Sequence, residues 1–179
     1  MERQCSWVRV RVRTNQRPPL SGMVQPGPPP PPPPPPLTNA TIRDAIKVAV
    51  AAEGPAYAHP VYGPIADWDV SAVTDMRFVF SDARAFNGDL SRWDVRNVAD
   101  MRHMFYAAKT FNGDLSGWDV GNVRYMGHMF YRAAAFNGDL SGWDVRNVTS
   151  MLGMFRFAIS FNCDLSRWDV RNVWDMSAM

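Results

Sequence analysis

Aspartate recurs every 25 residues at two positions of the chain, and its carboxylate carries the most evident potential chemistry. Carboxylates and turn carbonyls are the ligands that Ca²⁺ prefers, so one hypothesis is calcium binding between neighbouring copies. The interpretation we favour is that each carboxylate accepts hydrogen bonds from the backbone N–H groups of its own turn. The candidate calcium ligands are Asp94, Asp114, Asp119, Asp139 and Asp144. A calcium-stiffened structural rod is therefore one alternative function, and no other cofactor is predicted.

Histidine and methionine are two further types of potential metal ligand. His103 and His128 occupy equivalent positions and could share a zinc ion, but no third ligand is evident, and an exposed variable position is predicted instead. Methionine pairs such as Met101 and Met104 lie three residues apart in an apolar segment, which predicts a place in the core. There is no G-x-S-x-G elbow and no glycine-rich phosphate loop. The sequence predicts no catalytic residue and a protein that is not an enzyme.

These side chains belong to a 25-residue repeat that begins at each W-D-V motif. Four whole repeats span 68–167, and a fifth, which we expect to be truncated, spans 168–179. One copy is too short to bury its own apolar residues, so neighbouring copies must stack on one another. The predicted repeat core consists of Trp68, Trp93, Trp118, Trp143, Trp168, Met101, Met126, Met151, Phe105, Phe130 and Phe155.

The pattern within one repeat predicts its local structure. D-L-S-x-W-D-V places Trp and Val two residues apart, which favours a short strand. V-x-x-M-x-x-M-F steps by three and four, which is typical of a helical or 3₁₀ segment. N-G-D predicts a turn. The sequence therefore predicts an α/β repeat solenoid of short parallel strands and short helical or 3₁₀ segments.

Two asparagine series, which include Asn97 and Asn112, predict ladders of hydrogen bonds to turn backbone.

The chain before the repeats divides into two parts. Residues 38–67 form a predicted N-terminal cap with a helix at about 41–52, because an Ala-rich run there has one apolar face. Residues 1–37 form a predicted disordered leader that is basic and contains nine consecutive prolines at 28–36. An alternative function follows from the leader, namely an intracellular scaffold that binds a proline-recognising partner.

Charge and hydropathy exclude several classes of protein. The chain has 19 basic and 17 acidic residues, and the leader carries the basic excess, so the repeats are not expected to bind nucleic acid. No run of apolar residues is long enough to form a transmembrane helix. Residues 1–20 lack the apolar segment of a secretory signal peptide. With one cysteine in the leader and one in the repeats, no disulfide framework is expected.

Positions that differ from copy to copy are the candidates for partner binding, because identical positions meet the same structural demand in each repeat. Many of these positions hold arginine or tyrosine, the side chains that are enriched in protein interfaces. The candidate binding residues are Arg96, Arg102, Tyr106, Arg124, Tyr125, Tyr131, Arg132, Arg146 and Arg156.

The unit FNGDLSxWDVxNVxxMxxMFxxA resembles the repeats of BspA-type surface proteins, over about residues 41–179. This resemblance implies a leucine-rich-repeat-like stack and a cell-surface or extracellular location. It also implies a non-enzymatic function in adhesion or recognition, with a protein or a glycan as the partner. It gives no ligand identity and no oligomeric state.

Overall fold

The computed structural model describes residues 32–52 and 57–179. The chain divides into two structural units, residues 1–32 and residues 33–179. Only Pro32 of the first unit is described. Helix α1 spans Ile42–Ala51, within the segment where a helix is predicted. Strands β1 (Ala58–His59) and β2 (Gly63–Pro64) pair in antiparallel fashion and lead into a short 3₁₀ helix at Ile65–Asp67. Most of the predicted leader, and with it the proline-recognition hypothesis, lies outside the described residues.

The predicted α/β solenoid of parallel strands and helical segments is wrong. Throughout 68–179 the chain consists of turns and irregular backbone, with neither a strand nor a helix. Pairing of the β type is reduced to isolated parallel bridges between single residues. These bridges are Asp75 to Asp100, Asp100 to Tyr125, Tyr125 to Ser150 and Ser150 to Asp175.

Left-handed residues explain why the V-x-x-M-x-x-M-F segment is not a helix. The residue ten positions after each Trp has a positive φ, as in His103 at 58° and His128 at 56°. The residue fourteen positions after Trp has the same conformation in repeats 1 to 4, as in Ala107 and Arg132. A right-handed helix requires negative φ at every residue, so the two left-handed residues in this segment, four positions apart, prevent a helix. The segment forms successive turns instead, as in the hydrogen bond of 3.2 Å from the Met104 N–H to the Met101 carbonyl.

Backbone hydrogen bonds join each repeat to the next at every second residue of this segment. The Met101 N–H donates to the Tyr125 carbonyl at 2.9 Å, and the His103 N–H donates to the Gly127 carbonyl at 3.0 Å. The intervening N–H groups close turns within their own repeat. Because the N–H groups alternate between these two uses, the repeats stack in register without forming a continuous strand.

Aromatic rings form the interior of the stack. Phe105 stacks on Phe130 of the next repeat with ring centroids 5.4 Å apart, and on Phe111 of its own repeat at 4.1 Å. The Trp residues form a parallel series of buried rings, with Trp118 and Trp143 separated by 6.5 Å. The Trp118 indole N–H donates to the Leu90 carbonyl at 3.0 Å. Trp93, Trp143 and Trp168 donate in the same way to a carbonyl 28 residues earlier. The Trp68 indole donates instead to the nearby Gly63 carbonyl at 3.0 Å, so each buried indole has its polar atom satisfied.

The segment at 37–51 covers the first repeat. Leu37, which the prediction assigns to the leader, is fully buried, and its N–H donates to the Asp69 carbonyl at 2.9 Å. The Asn39 carboxamide oxygen accepts from the Thr74 and Asp75 N–H groups, at 2.8 and 3.0 Å. Helix α1 turns its apolar face inward, with Ile42, Ala45, Ile46 and Ala49 all buried.

An ion pair fixes α1 to this repeat. The Arg43 guanidinium lies 3.0 Å from the Asp75 carboxylate. Burial acts to raise the pKa of Asp75, but hydrogen bonds from Arg77 and the charge of Arg43 outweigh it and lower this pKa to about 2. Asp75 therefore stays ionised, and the ion pair stays intact, well below neutral pH.

In the described part of the chain no helix is long and apolar enough to cross a membrane.

Candidate binding surface

The candidate calcium ligands are hydrogen-bonded within their own turns. Asp114 and Asp139 each accept a 2.9 Å hydrogen bond from the serine N–H two residues further on, and Asp119 accepts one from the Gly121 N–H at 3.1 Å. Asp94 and Asp144 accept 2.8 Å hydrogen bonds from the Nε atoms of Arg96 and Arg146. Among residues 32–52 and 57–179, no group of three or more His, Cys, Asp or Glu side chains could hold a metal ion.

The hydrogen bonds to Asp114 and Asp144 stabilise the ionised forms of these two carboxylates. The Ser116 N–H and then its hydroxyl lower the pKa of Asp114. The Arg146 side chain has the same effect on the pKa of Asp144. Each of these two carboxylates can therefore remain charged because a local donor compensates it.

The predicted asparagine ladders are confirmed, and they connect successive repeats. The Asn122 Nδ2 donates to the Arg96 carbonyl at 2.7 Å, and equivalent bonds recur from Asn97, Asn147 and Asn172. In the second ladder, the Asn112 N–H donates to the Asn87 side chain at 2.8 Å. Both ladders satisfy polar backbone groups at the junction between two repeats.

The residues of the predicted repeat core point inward. All five Trp residues and the three predicted Met residues are buried, as are Phe105 and Phe130, while Phe155 is half-buried. The core is therefore a continuous apolar interior.

The candidate binding residues divide among four places. Arg96 and Arg146 are engaged by Asp94 and Asp144, as described above. Arg124 lines a shallow polar groove beside Asn122 and Asn147. Arg102 forms a two-pronged ion pair with Asp100 and lies 4.9 Å over the Tyr125 ring. The four remaining candidates come together elsewhere.

These four residues and Phe157 form one contiguous surface, which we call the arginine–aromatic strip: Tyr106, Tyr131, Arg132, Arg156 and Phe157. The Tyr106 and Tyr131 rings stack at 4.9 Å with 1° between their planes. The Arg132 guanidinium lies 5.4 Å from the Tyr131 ring centre and 5.6 Å from that of Phe157. Arg156 covers Phe157 at 5.0 Å. Such cation–π contacts hold each guanidinium over an aromatic ring.

Phe157 and its exposed neighbour Ile159 are not among the candidate binding residues predicted from the sequence. Phe157 is 51% exposed and Ile159 is 84% exposed. The sequence does contain a signal for Phe157, namely a large apolar side chain at a variable position. Arg132 and Ala107 occupy the equivalent position in the two preceding repeats.

A second aromatic series lies at the left-handed position tenth after Trp. Phe78 stacks on His103 at 4.6 Å, and His103 stacks on His128 at 4.9 Å. Both histidines are half-buried, so the predicted exposed position is only partly open to solvent. The His103 Nδ1 is buried and has no partner among the described residues. Burial, followed by the nearby His128 and Arg102, lowers the pKa of His103.

Charge is segregated within each of the three middle repeats. The segments 101–113, 126–138 and 151–163 contain no acidic residue, whereas they contain Arg102, Lys109, Arg132 and Arg156. The acidic residues of these repeats all occur in the remaining part of the unit. The part of each repeat that carries the arginine–aromatic strip is therefore basic, although residues 38–179 carry a small net negative charge.

The chain matches the family described as Mycoplasma protein of unknown function, DUF285, over residues 56–143 and 115–179. Because these matches cover more than half of the chain, the chain belongs to this family. A search of curated proteins and a search of solved structures each found no match.

Proposed function

We propose that the chain is a non-enzymatic, BspA-like binding protein that presents the variable surface of its repeats to a protein or glycan partner at a cell surface. The single observation that carries this proposal is the arginine–aromatic strip. Four residues chosen only for their variable positions lie together there with Phe157. Identical residues fill the interior and the ladders, whereas the surface differs from repeat to repeat, as expected of a site that recognises a partner.

The composition of the strip supports binding rather than catalysis. Tyrosine, arginine and phenylalanine provide large contact areas and few groups that could transfer a proton near neutral pH. Exposed phenylalanine and isoleucine would be covered when a partner docks, which favours association.

The test is saturable binding of the fluorescently labelled full chain to intact cells, measured by flow cytometry. Cells are used untreated, after mild protease treatment and after glycosidase treatment. We expect saturable binding that one of the two treatments removes, and which treatment does so identifies the partner as protein or glycan. A chain that binds no cell type saturably, while remaining folded in the assay buffer, would refute the proposal.

A further inference from the structure

Arg132 and Arg156 are the two charged groups of the arginine–aromatic strip, and both are exposed. In the described part of the chain neither takes part in an ion pair, whereas Arg96, Arg102 and Arg146 each pair with an aspartate. A guanidinium has five donors in a planar fork that matches a carboxylate. The two guanidinium groups are held against aromatic rings, so less side-chain entropy is lost when a ligand binds them.

The segments of the chain that carry these two arginines contain no acidic residue of their own. The segments 126–138 and 151–163, which contain the strip residues of repeats 3 and 4, have no aspartate or glutamate. In repeat 1 the arrangement is different, because Asp82 occupies the position of Arg132 and lies 3.4 Å from Arg84. At this position repeat 1 therefore has its own ion pair, whereas repeat 3 has an arginine outside any ion pair of the described residues.

Apolar surface lies beside these charges. Phe157 and Ile159 are both more than half exposed, and Arg156 covers one face of the Phe157 ring. The side-chain amides that would bond to the hydroxyls of a sugar are engaged in the two asparagine ladders, and the strip itself contains no side-chain amide. The combination of unpaired guanidinium groups with exposed apolar side chains matches a peptide that carries both carboxylates and apolar side chains.

We infer that the arginine–aromatic strip binds an acidic protein segment. Carboxylates of the segment pair with Arg132 and Arg156, and apolar side chains of the segment pack on Phe157 and Ile159. This inference rests on the proposed binding function and specifies the chemistry of its partner.

The probe is a labelled peptide of alternating glutamate and leucine, titrated with the full chain and followed by fluorescence anisotropy. The comparison peptide replaces every glutamate with glutamine. The variant is R132A/R156A, and the matched control is R96A/R146A, which removes the same charge from a surface where each arginine is already paired. Circular dichroism checks that both variants fold.

We expect R132A/R156A to weaken binding by about tenfold or more, as for truncation of central arginine contacts. We expect R96A/R146A to bind like the wild type and the glutamine peptide to bind much more weakly. Added salt should weaken binding of the glutamate peptide, because the attraction is between exposed charges.

In the peptide titration, any of three results would overturn the inference: no binding of the glutamate peptide to the wild type, equal binding by R132A/R156A, or equal binding of the glutamine peptide. Tighter binding of heparin fragments, lost in R132A/R156A, would assign the strip to an anionic glycan instead. Saturable cell binding that persists in R132A/R156A would overturn this inference while the proposed function stands. Absence of any cell binding by the wild type would refute the proposed function itself.

Discussion

The tryptophan series and the series of left-handed residues tenth after each Trp run along the same repeats but are maintained differently. The first holds one residue type in every copy, with its ring buried and its indole N–H bonded to a carbonyl. The second holds Phe, His, His, Gly and Ala in turn, and all five share a positive φ. At the first position the side chain determines the structure, whereas at the second the backbone does.

This difference explains where variation is tolerated. A Trp cannot be exchanged without opening a cavity and leaving a carbonyl without its donor. The left-handed position accepts several side chains because the hydrogen bond that matters there comes from its backbone N–H, as from His103 to Gly127. Positions of the second kind can therefore hold different residue types while the hydrogen bond between repeats is kept, and the strip residues Arg132 and Phe157 occupy another such left-handed position.

The largest expected effect comes from breaking the tryptophan series. Trp118→Ala removes a buried ring and should lower the free energy of unfolding by about 3–5 kcal/mol. Urea denaturation measures this change. The matched control is Trp174→Ala, because Trp174 is 75% exposed and its loss should cost less than about 0.5 kcal/mol. Equal losses in the two variants would contradict the inward role of Trp118.

A smaller effect is expected at the left-handed position of repeat 4. Gly153 has φ of 56°, and a Cβ added there would lie 3.0 Å from two atoms of the His128 ring. Gly153→Ala should therefore cost about 1–2 kcal/mol in the free energy of unfolding. Gly142→Ala is the control, because its Cβ would meet nothing within 4 Å. If Gly153→Ala were as stable as the control, backbone conformation would not limit this position.

The asparagine ladder tests whether an exposed contact that recurs in repeats 2 to 5 behaves like the interior. Asn122→Ala removes the hydrogen bond to the Arg96 carbonyl, and it should lower stability by about 1 kcal/mol. Repeat 1 already has Ala72 at this position, so the variant is expected to fold. Calorimetric melting of the variant and of Asn122→Asp, which keeps the size but loses the donor, should show similar losses. A fully stable Asn122→Asp would show that the donated bond is not what stabilises this junction.

His103 of the left-handed series should make stability depend on pH. The pKa of His103 is lowered in the folded protein, so the unfolded chain binds the proton more readily. This site therefore contributes its full stability at a pH above the pKa of histidine in the unfolded chain, about 6.5. The contribution decreases as the pH falls below that pKa. Urea denaturation at about pH 7.5 and about pH 5 should show a smaller loss in His103→Phe than in the wild type. Phe78 occupies the same position in repeat 1, which makes phenylalanine a suitable replacement. An identical pH dependence in the two proteins would contradict a role for His103.

The smallest expected effect concerns the aspartate series. Because Asp114 and Asp139 are already hydrogen-bonded to backbone N–H groups, we expect a calcium chelator to leave the melting temperature unchanged. Added Ca²⁺ should also have no effect. A lower melting temperature after chelation, restored by Ca²⁺ and not by Mg²⁺, would instead support calcium between the repeats.

The 25-residue interval indicated which side chains repeat, and residue type indicated which of them are buried, since Trp, Met and Phe at fixed positions need a common interior. The backbone of the M-x-x-M-F segment could not be predicted in this way. Three-residue spacing of apolar side chains fits a helix and a run of turns equally well. The left-handed positions hold His, Phe, Asp, Ala and Arg, so the glycine that usually marks positive φ is mostly missing.

The arginine–aromatic strip was predicted only in part for a related reason. Tyrosine and arginine were recognised as interface residues, but the contacts of Tyr131 with Tyr106 and Phe157 connect different repeats. Which variable positions of adjacent copies lie side by side depends on the register of stacking. The prediction of parallel strands did not describe that register correctly.

The stacked indoles have an optical consequence. Trp68 and Trp93 lie 6.3 Å apart with 15° between their planes, and the pairs Trp118–Trp143 and Trp143–Trp168 lie 6.5 Å apart and nearly parallel. Chromophores at such separations exchange excitation energy, so light absorbed by one indole of these pairs passes to its neighbour. Because the paired rings are nearly parallel, this exchange preserves most of the polarisation of the emitted light. Tilting of one repeat against the next would lower that polarisation even while both rings remained shielded from water, so the stacked indoles report on the stacking without any attached dye.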